Sequence, residues 1–273
     1  MSDNTLVIEP RKSLLKLDLR ELWNFRELLY FLVWRDIKVR YKQTFIGAFW
    51  AILQPFFTMV VFTIFFGKIA KIPSDNVPYP IFSYSGLILW TYFSSAVSNS
   101  SNSLVGSSNL ISKVYFPRLI VPLSSAISAA VDYFIATSIL VLMMFYYGIF
   151  PNIQIIYLPI ILLLTFLSAT GFGLWLSALN VKYRDVRFVL PFFIQLLMFL
   201  TPVIYPISFI PEKFKWILYL NPVGGLINAH RALVLGQEVD YLYLLSSIII
   251  SFLLIITGLA YFKKTESFFA DII

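Results

Sequence analysis

The chain has 273 residues, of which 59 % are hydrophobic and only 13 % charged, with mean hydropathy +0.81 and formal net charge +7. A soluble domain carries about 25 % charged residues, so this composition excludes an ordinary water-soluble fold. The lack of cysteine also removes disulfides, thiol nucleophiles and cysteine-based metal sites.

In chain order, residues 1–18 are polar, and LRELWNFRELLYFLV (19–33) reads as an amphipathic helix. Its apolar residues Leu22, Phe25, Leu29 and Leu32 recur at spacings of three or four, with Arg20, Glu21, Arg26 and Glu27 off that stripe. Such a helix, rich in Trp and Arg, is expected to lie along a membrane surface. The basic, aromatic segment WRDIKVRYKQT (34–44) follows, where anionic headgroups would attract it. The first 44 residues lack the short apolar core of a cleavable signal peptide, so the first apolar span is expected to direct insertion.

Six stretches then meet or approach the roughly 20 apolar residues that a bilayer core requires of a helix. They lie near 45–67, 81–105, 119–147, 155–179, 188–206 and 241–262. None alternates as a barrel strand would, so the expected fold is all-α with six transmembrane helices in a single domain over 45–273. The second half of the second stretch, 94–108, is rich in Ser and Asn, which suits either close helix packing or an edge facing a polar conduit. Asp132 is the single formal charge within the six stretches and should face protein or water. Structural pairing, for example with a Ser or Asn of the second span, is expected ahead of a proton relay.

Between spans five and six, residues 207–236 hold apolar pieces too short to cross, with prolines nearby. Two short re-entrant helices are expected there. The basic residues are asymmetric. Of 21 Lys and Arg, nine precede residue 45, two lie between spans two and three, three between spans four and five, and two follow span six. Only Lys68, Lys71, Lys213, Lys215 and Arg231 fall on the other side. The positive-inside rule places both termini in the cytoplasm. The charge is thereby explained without nucleic acid as a partner.

Residues for catalysis are scarce. One histidine, His230, cannot supply a His-pair metal site or a Ser-His-Asp arrangement, and it reads as a hydrogen-bonding surface residue. No catalytic or metal-binding set is expected. The phosphate-loop pattern GxxxxGK[ST] is absent, and Gly171-Phe172-Gly173 reads as a site of close helix packing. Aromatic residues, 18 % of the chain, form two stripes: Phe45, Phe49 and Phe56 on span one, and Phe188, Phe192, Gln195 and Phe199 on span five. Such faces stack on the apolar faces of sugar rings and equally on neighbouring helices or lipid.

Together, WRDIKVRYKQTFIGAFWAILQP (34–55), NLISKVYFPRLIVP (109–122), LNVKYRDVRFVLPF (179–192), TPVIYP (201–206) and NPVGGLINAHRALVLG (221–236) cover nearly the whole chain in order. They resemble the permease subunits of polysaccharide-exporting ABC transporters, the O-antigen, capsule and teichoic-acid exporters. The resemblance implies a six-span subunit of the plasma membrane, working as a homodimer with two separate nucleotide-binding subunits that bind ATP and Mg. It implies that this chain holds no cofactor. The loop with Asn109, Lys113, Phe116, Pro117 and Arg118 would couple to the ATPase, as would Lys182, Tyr183, Arg184 and Asp185. The aromatic stripes would line the path of a polyprenyl-linked glycan, and Arg35, Lys38, Arg40 and Lys42 would meet lipid headgroups or the diphosphate. Two alternatives stay open: a related permease for drugs or small lipids, and an ion-coupled secondary transporter using Asp132.

Overall fold

The computed structural model describes residues 19–42 and 47–269. Phe45 of the first aromatic stripe and the basic residues Arg11, Lys12 and Lys16 lie outside them. Within the described residues the chain is helical and has no strand.

Helix α1 (Leu19–Asn24) runs through an irregular turn at Phe25 into α2 (Arg26–Lys42), with the amide of Phe25 still donating to the Glu21 carbonyl at 3.2 Å. The helix therefore includes the basic segment from residue 34 through Lys42, rather than ending near residue 33. Helix α3 (Gly47–Phe62) contains Pro55 and continues as a π-helical stretch, Thr63–Ile69. After a loop come α4 (Tyr79–Gly106), the short α5 (Ser108–Lys113) and α6 (Ile120–Tyr146). A 3₁₀ turn (Ile153–Tyr157) leads into α7 (Leu158–Lys182), which a tight turn joins to α8 (Val186–Leu200). Two short helices, α9 (Lys215–Tyr219) and α10 (Gly224–Leu235), precede α11 (Tyr241–Glu266).

Among the described residues, four helical stretches are long and apolar enough to cross a membrane: Phe49–Ile69, Ile120–Tyr146, Ile153–Lys182 and Tyr241–Glu266. The other two expected spans depart for different reasons. Helix α4 has 28 residues, or about 42 Å at 1.5 Å per residue, but is polar in its second half. It is the hub of the fold, packed most extensively on α6 and α7, and polar groups of its second half bond to both. Ser100 donates to the Pro122 carbonyl at 2.9 Å, and Asn180 of α7 donates to the carbonyl of Ser101 at 3.0 Å and to Asn102 Oδ1 at 3.2 Å. Such bonds allow a buried helix to be polar. Helix α8 is apolar but stops after 15 residues at Leu200, because Pro202 cannot continue the ladder.

Gly171 and Gly173 explain how α7 sits between two neighbours. A β-carbon at Gly171 would meet backbone atoms of Ile255 in α11 at 2.6 Å, and one at Gly173 would meet Ser100 of α4 at 2.6 Å. Gly258 faces Gly171 from the other side, where a β-carbon would reach the Gly171 carbonyl oxygen at 2.4 Å. Beside this contact Trp175 stacks on Tyr261, with ring centroids 4.5 Å apart and planes 9° from parallel. The GFG segment is a packing element, as its sequence indicates.

The apolar stripe of α1 and α2 faces inward. Leu32 is buried, and Leu22, Phe25 and Leu29 pack against a cluster containing Phe116, Leu119, Val181 and Phe262. Trp23, Tyr30 and Phe31 point away from the bundle. The stripe thus packs on protein, and aromatic side chains form the outer face.

Candidate functional site

Three groups of residues stand out, two at opposite ends of the bundle and one along its open side. At the end where α2, α5, the α7–α8 turn and the C-terminus of α11 meet, the segment 109–118 divides in two. Asn109 and Lys113 are exposed, as are Val114 and Tyr115, whereas Phe116 and Pro117 are buried and anchor the segment in the cluster with Leu32 and Phe262. Arg118 is half-buried and donates to the Glu266 backbone carbonyl, tying the segment to α11. Lys182, Tyr183, Arg184 and Asp185 are all exposed, with the Lys182 ammonium 5.2 Å from the centre of the Tyr183 ring. The two segments are neighbours: Ser108 shares the wall of a cavity of about 340 Å³ with Asn180, Arg184, Arg187 and Phe188.

Above this end, the basic residues of α2 are partly committed within the chain. Arg40 forms a salt bridge with Asp132 of α6, and Tyr41 donates to the other oxygen of that carboxylate. Asp132 therefore pairs with a cation and a phenol from α2, where the sequence points to a Ser or Asn of the second span. A carboxylate 18 % exposed requires a charge partner as well as hydrogen bonds, and among the described residues α2 brings it. Burial, and then the Asp132 carboxylate, push the Tyr41 phenol above its ordinary range. Arg35 pairs with Asp36 at 2.8 Å, the Lys38 ammonium lies 5.2 Å from the Trp34 ring centre, and Lys42 is exposed. A cavity of about 280 Å³ between α3, α4 and α6 begins at Arg40 and Asp132 and continues past Trp50, Gln54, Tyr92 and Tyr133.

Along the open side, α3 and α8 flank α4. Helix α8 is buried only along a line through Leu190, which is 3 % exposed. At 100° per residue, Phe188, Phe192, Gln195 and Phe199 fall on the opposite face. All four are exposed, Phe188 at 71 %. On α3, Phe49 and Phe56 are also exposed; they lie toward one edge of its uncovered face, with Trp50, Phe57 and Val61 nearer the centre. Phe49, Phe56 and the α8 row are thus surfaces that the described residues leave uncovered.

The third group was not legible as a site. Arg231 of α10 is 2 % exposed and has no carboxylate in salt-bridge contact among the described residues. Its guanidinium donates to the carbonyls of Phe82 at 3.2 Å, Pro202 at 3.1 Å and Val203 at 2.9 Å, and sits 3.7 Å from the centre of the Phe82 ring. Gly86 leaves the room, since a β-carbon there would come within 2.4 Å of the guanidinium. His230 is buried at 1 %, with Nε2 3.0 Å from the Tyr133 hydroxyl, and so is not a surface residue. The available signal was an adjacent His and Arg inside the apolar run from Val223 to Leu235, with no acid nearby in sequence. Polar residues in such a run are usually paired in the interior.

The sequence profile of ABC-2 type transporters matches residues 27–235. This chain belongs to the ABC-2 type transporter family. Among its relatives, the O-antigen export system permease protein RfbA of Klebsiella pneumoniae is 31 % identical over 248 residues, which is 90 % of this chain and 95 % of that protein. The protein of the same name from Myxococcus xanthus is 29 % identical over 78 % of this chain and 82 % of its own length. The polysialic acid transport protein KpsM of Escherichia coli is 24 % identical over 85 % of this chain and 91 % of its own. An ABC-2 permease is a transport component and associates with an ATP-binding subunit. The matched segment of this chain runs from α2 through α10 and includes the residues of the three groups described above other than those of α11.

Proposed function

We propose that this chain is the transmembrane permease of an ATP-driven exporter that moves a lipid-linked polysaccharide across the plasma membrane. The observation that carries this reading is the uncovered face of α8, with Phe188, Phe192, Gln195 and Phe199 in one row, in a chain whose relatives are named for O-antigen export and polysialic acid transport. An aromatic row with one amide can stack on sugar rings and exchange hydrogen bonds without holding any one sugar tightly, as a sliding polymer requires.

In this reading six segments cross the bilayer: α3 with its π-helical extension, α4, α6, α7, α8 with the break after it, and α11. Both termini are cytoplasmic, in keeping with the excess of Lys and Arg at the α2 and α5 end. The α1–α2 helix lies at the cytoplasmic interface with Trp23, Tyr30 and Phe31 toward the headgroups, and α9 and α10 are re-entrant at the outer mouth. One bundle this closely packed holds no wide conduit, so two copies line the path between them through α3 and α8. Two nucleotide-binding subunits bind ATP and Mg and press on the exposed parts of the two cytoplasmic segments, Asn109 and Lys113 together with Lys182–Asp185. Lys38 and Lys42 remain for a headgroup or diphosphate. The commitment of Asp132 to Arg40 and Tyr41 weighs against an ion-coupled mechanism.

The test is reconstitution of the chain with an ATPase subunit in proteoliposomes holding a polyprenyl-diphosphate-linked glycan. ATP-dependent appearance of the glycan on the opposite face supports the proposal. Transport of drugs or short lipids with no glycan movement, or glycan movement by this chain alone, overturns it.

A further inference from the structure

The largest of the cavities described lies away from the three groups above, at the end where α7 and α11 begin and α10 ends, with a volume of about 830 Å³. Its inner wall is apolar and is formed by Ile160, Ile161, Leu164, Leu233, Leu244 and Ile248. The rim has a different character: Asn152, Gln154 and Gln237 bring amides, Tyr157 and Tyr241 bring phenols, and Glu238 brings a carboxylate. Among the described residues no Lys or Arg lines the crevice.

We propose that this crevice holds one membrane phospholipid with a protonated amine headgroup, its acyl chain along the isoleucine and leucine wall and its ammonium at Glu238. The site rests on the six-span arrangement proposed above, which puts the crevice at the outer interface of the bilayer. Tyr157 immediately precedes α7 and Tyr241 opens α11, the positions at which aromatic residues mark a membrane–water boundary. An apolar wall facing lipid is not left empty, because a void forfeits dispersion contacts along its whole lining. Nor does it hold water, which needs two to four polar partners per molecule.

The rim selects among the amphiphiles that could enter. Glu238 is exposed and makes no ion pair among the described residues. Asp240 lies two positions on and caps α11 by accepting from the Tyr243 amide at 3.0 Å, which adds negative potential. An ammonium is matched here by the carboxylate and the phenol oxygens, while the side-chain amides of Asn152 and Gln154 can donate to the phosphate. A purely anionic headgroup, a polyprenyl diphosphate included, would meet a carboxylate with no cation beside it. A bare sugar chain would use the rim and waste the wall.

The experiment places the full chain in nanodiscs with equal phosphatidylethanolamine and phosphatidylglycerol, each supplied in turn as a probe with a photoactivatable acyl chain. Crosslinked residues are mapped by mass spectrometry. The ethanolamine probe should label the α7 and α11 wall in preference to the glycerol probe. Glu238→Lys should move the ratio toward the glycerol probe by up to about fivefold, the factor set by an exposed ion pair of up to about 1 kcal/mol, and Ile160→Trp should lower labelling by both. Equal labelling by the two probes, a ratio unmoved by Glu238→Lys, or protection of the rim by soluble oligosaccharide in place of lipid would each overturn the assignment. The readout needs neither ATP nor glycan, so its failure leaves the transport reading intact, and absence of glycan transport leaves the lipid ratio unchanged.

Discussion

The guanidinium of Arg231 lies over the ring of Phe82 and holds the same residue's carbonyl oxygen at 3.2 Å, so that α10 is fastened to the first turn of α4 through one side chain. The same group takes the carbonyls of Pro202 and Val203, which the end of α8 leaves without helical partners. Broken helices are tolerated at membrane depth where protein satisfies the freed backbone, and here a single arginine does so for two elements at once.

Replacing Arg231 by Met should therefore lower stability by about 2–4 kcal/mol, since three buried carbonyls lose their donor. Arg231→Lys should recover little, because an ammonium cannot present the planar fork that reaches all three. Thermal unfolding in detergent, followed by size-exclusion chromatography, measures both. Melting temperatures unchanged from the parent would show that water or another residue takes over the carbonyls.

Asp132 and Arg40 form the second prediction. Asp132→Ala leaves a partly buried cation and should destabilise by about 1–3 kcal/mol, discounted from the fully buried case because Arg40 is 32 % exposed. In a double-mutant cycle with Arg40→Gln, the pair should show a coupling of about 1 kcal/mol or more. Transport by Asp132→Asn should persist at reduced level, where a coupling-ion site would lose it entirely.

Close approach between α7 and α11 yields a third. Gly258→Val should push the helices apart at the Gly171 carbonyl and cost about 1–3 kcal/mol. The stacked pair Trp175 and Tyr261 lies beside that contact, so tryptophan fluorescence should shift together with the melting temperature.

These residues differ in how far the sequence revealed them. The long apolar helices, the packing role of Gly171 and Gly173, and the row on α8 follow from local periodicity, which 3.6 residues per turn makes visible in one segment. The Asp132 partner does not, because Arg40 lies 92 positions away and only tertiary packing joins them. A signal existed: Arg40 follows Leu29 by eleven residues, three helical turns, and so continues the stripe that packs inward. The role of Arg231 was hidden by the count of charges on each side of the membrane, which treats every basic residue outside a span as solvated. The polar half of α4 was legible as suited to close packing, and bonds from Ser100 to α6 and from Asn180 of α7 use part of it.

A fourth prediction concerns the path. Cysteine at Phe192 should react with a polar thiol reagent while the transporter turns over, and cysteine at Leu190, on the covered face of the same helix, should stay protected. Phe192→Ala should slow glycan movement more than it lowers stability. A Phe192 position that is silent to reagent during turnover would return the row to helix packing or lipid contact.

The last prediction separates contact from anchorage in the segment 109–118. Lys113 is exposed and its side chain supports nothing among the described residues, so Lys113→Glu should leave the unfolding free energy within about 0.5 kcal/mol of the parent. It should nevertheless reduce ATP-driven export and weaken co-purification with the ATPase subunit. Phe116 is buried beside Leu32 and Phe262, and Phe116→Ala should cost about 3–5 kcal/mol of stability through the cavity it leaves. Arg118→Ala falls between them, since it removes the bond from residue 118 to the Glu266 carbonyl and loosens the end of α11 without emptying the core. If Lys113→Glu binds the ATPase normally while Phe116→Ala alone loses it, the segment serves as a brace for the bundle, and coupling must pass through Lys182–Asp185.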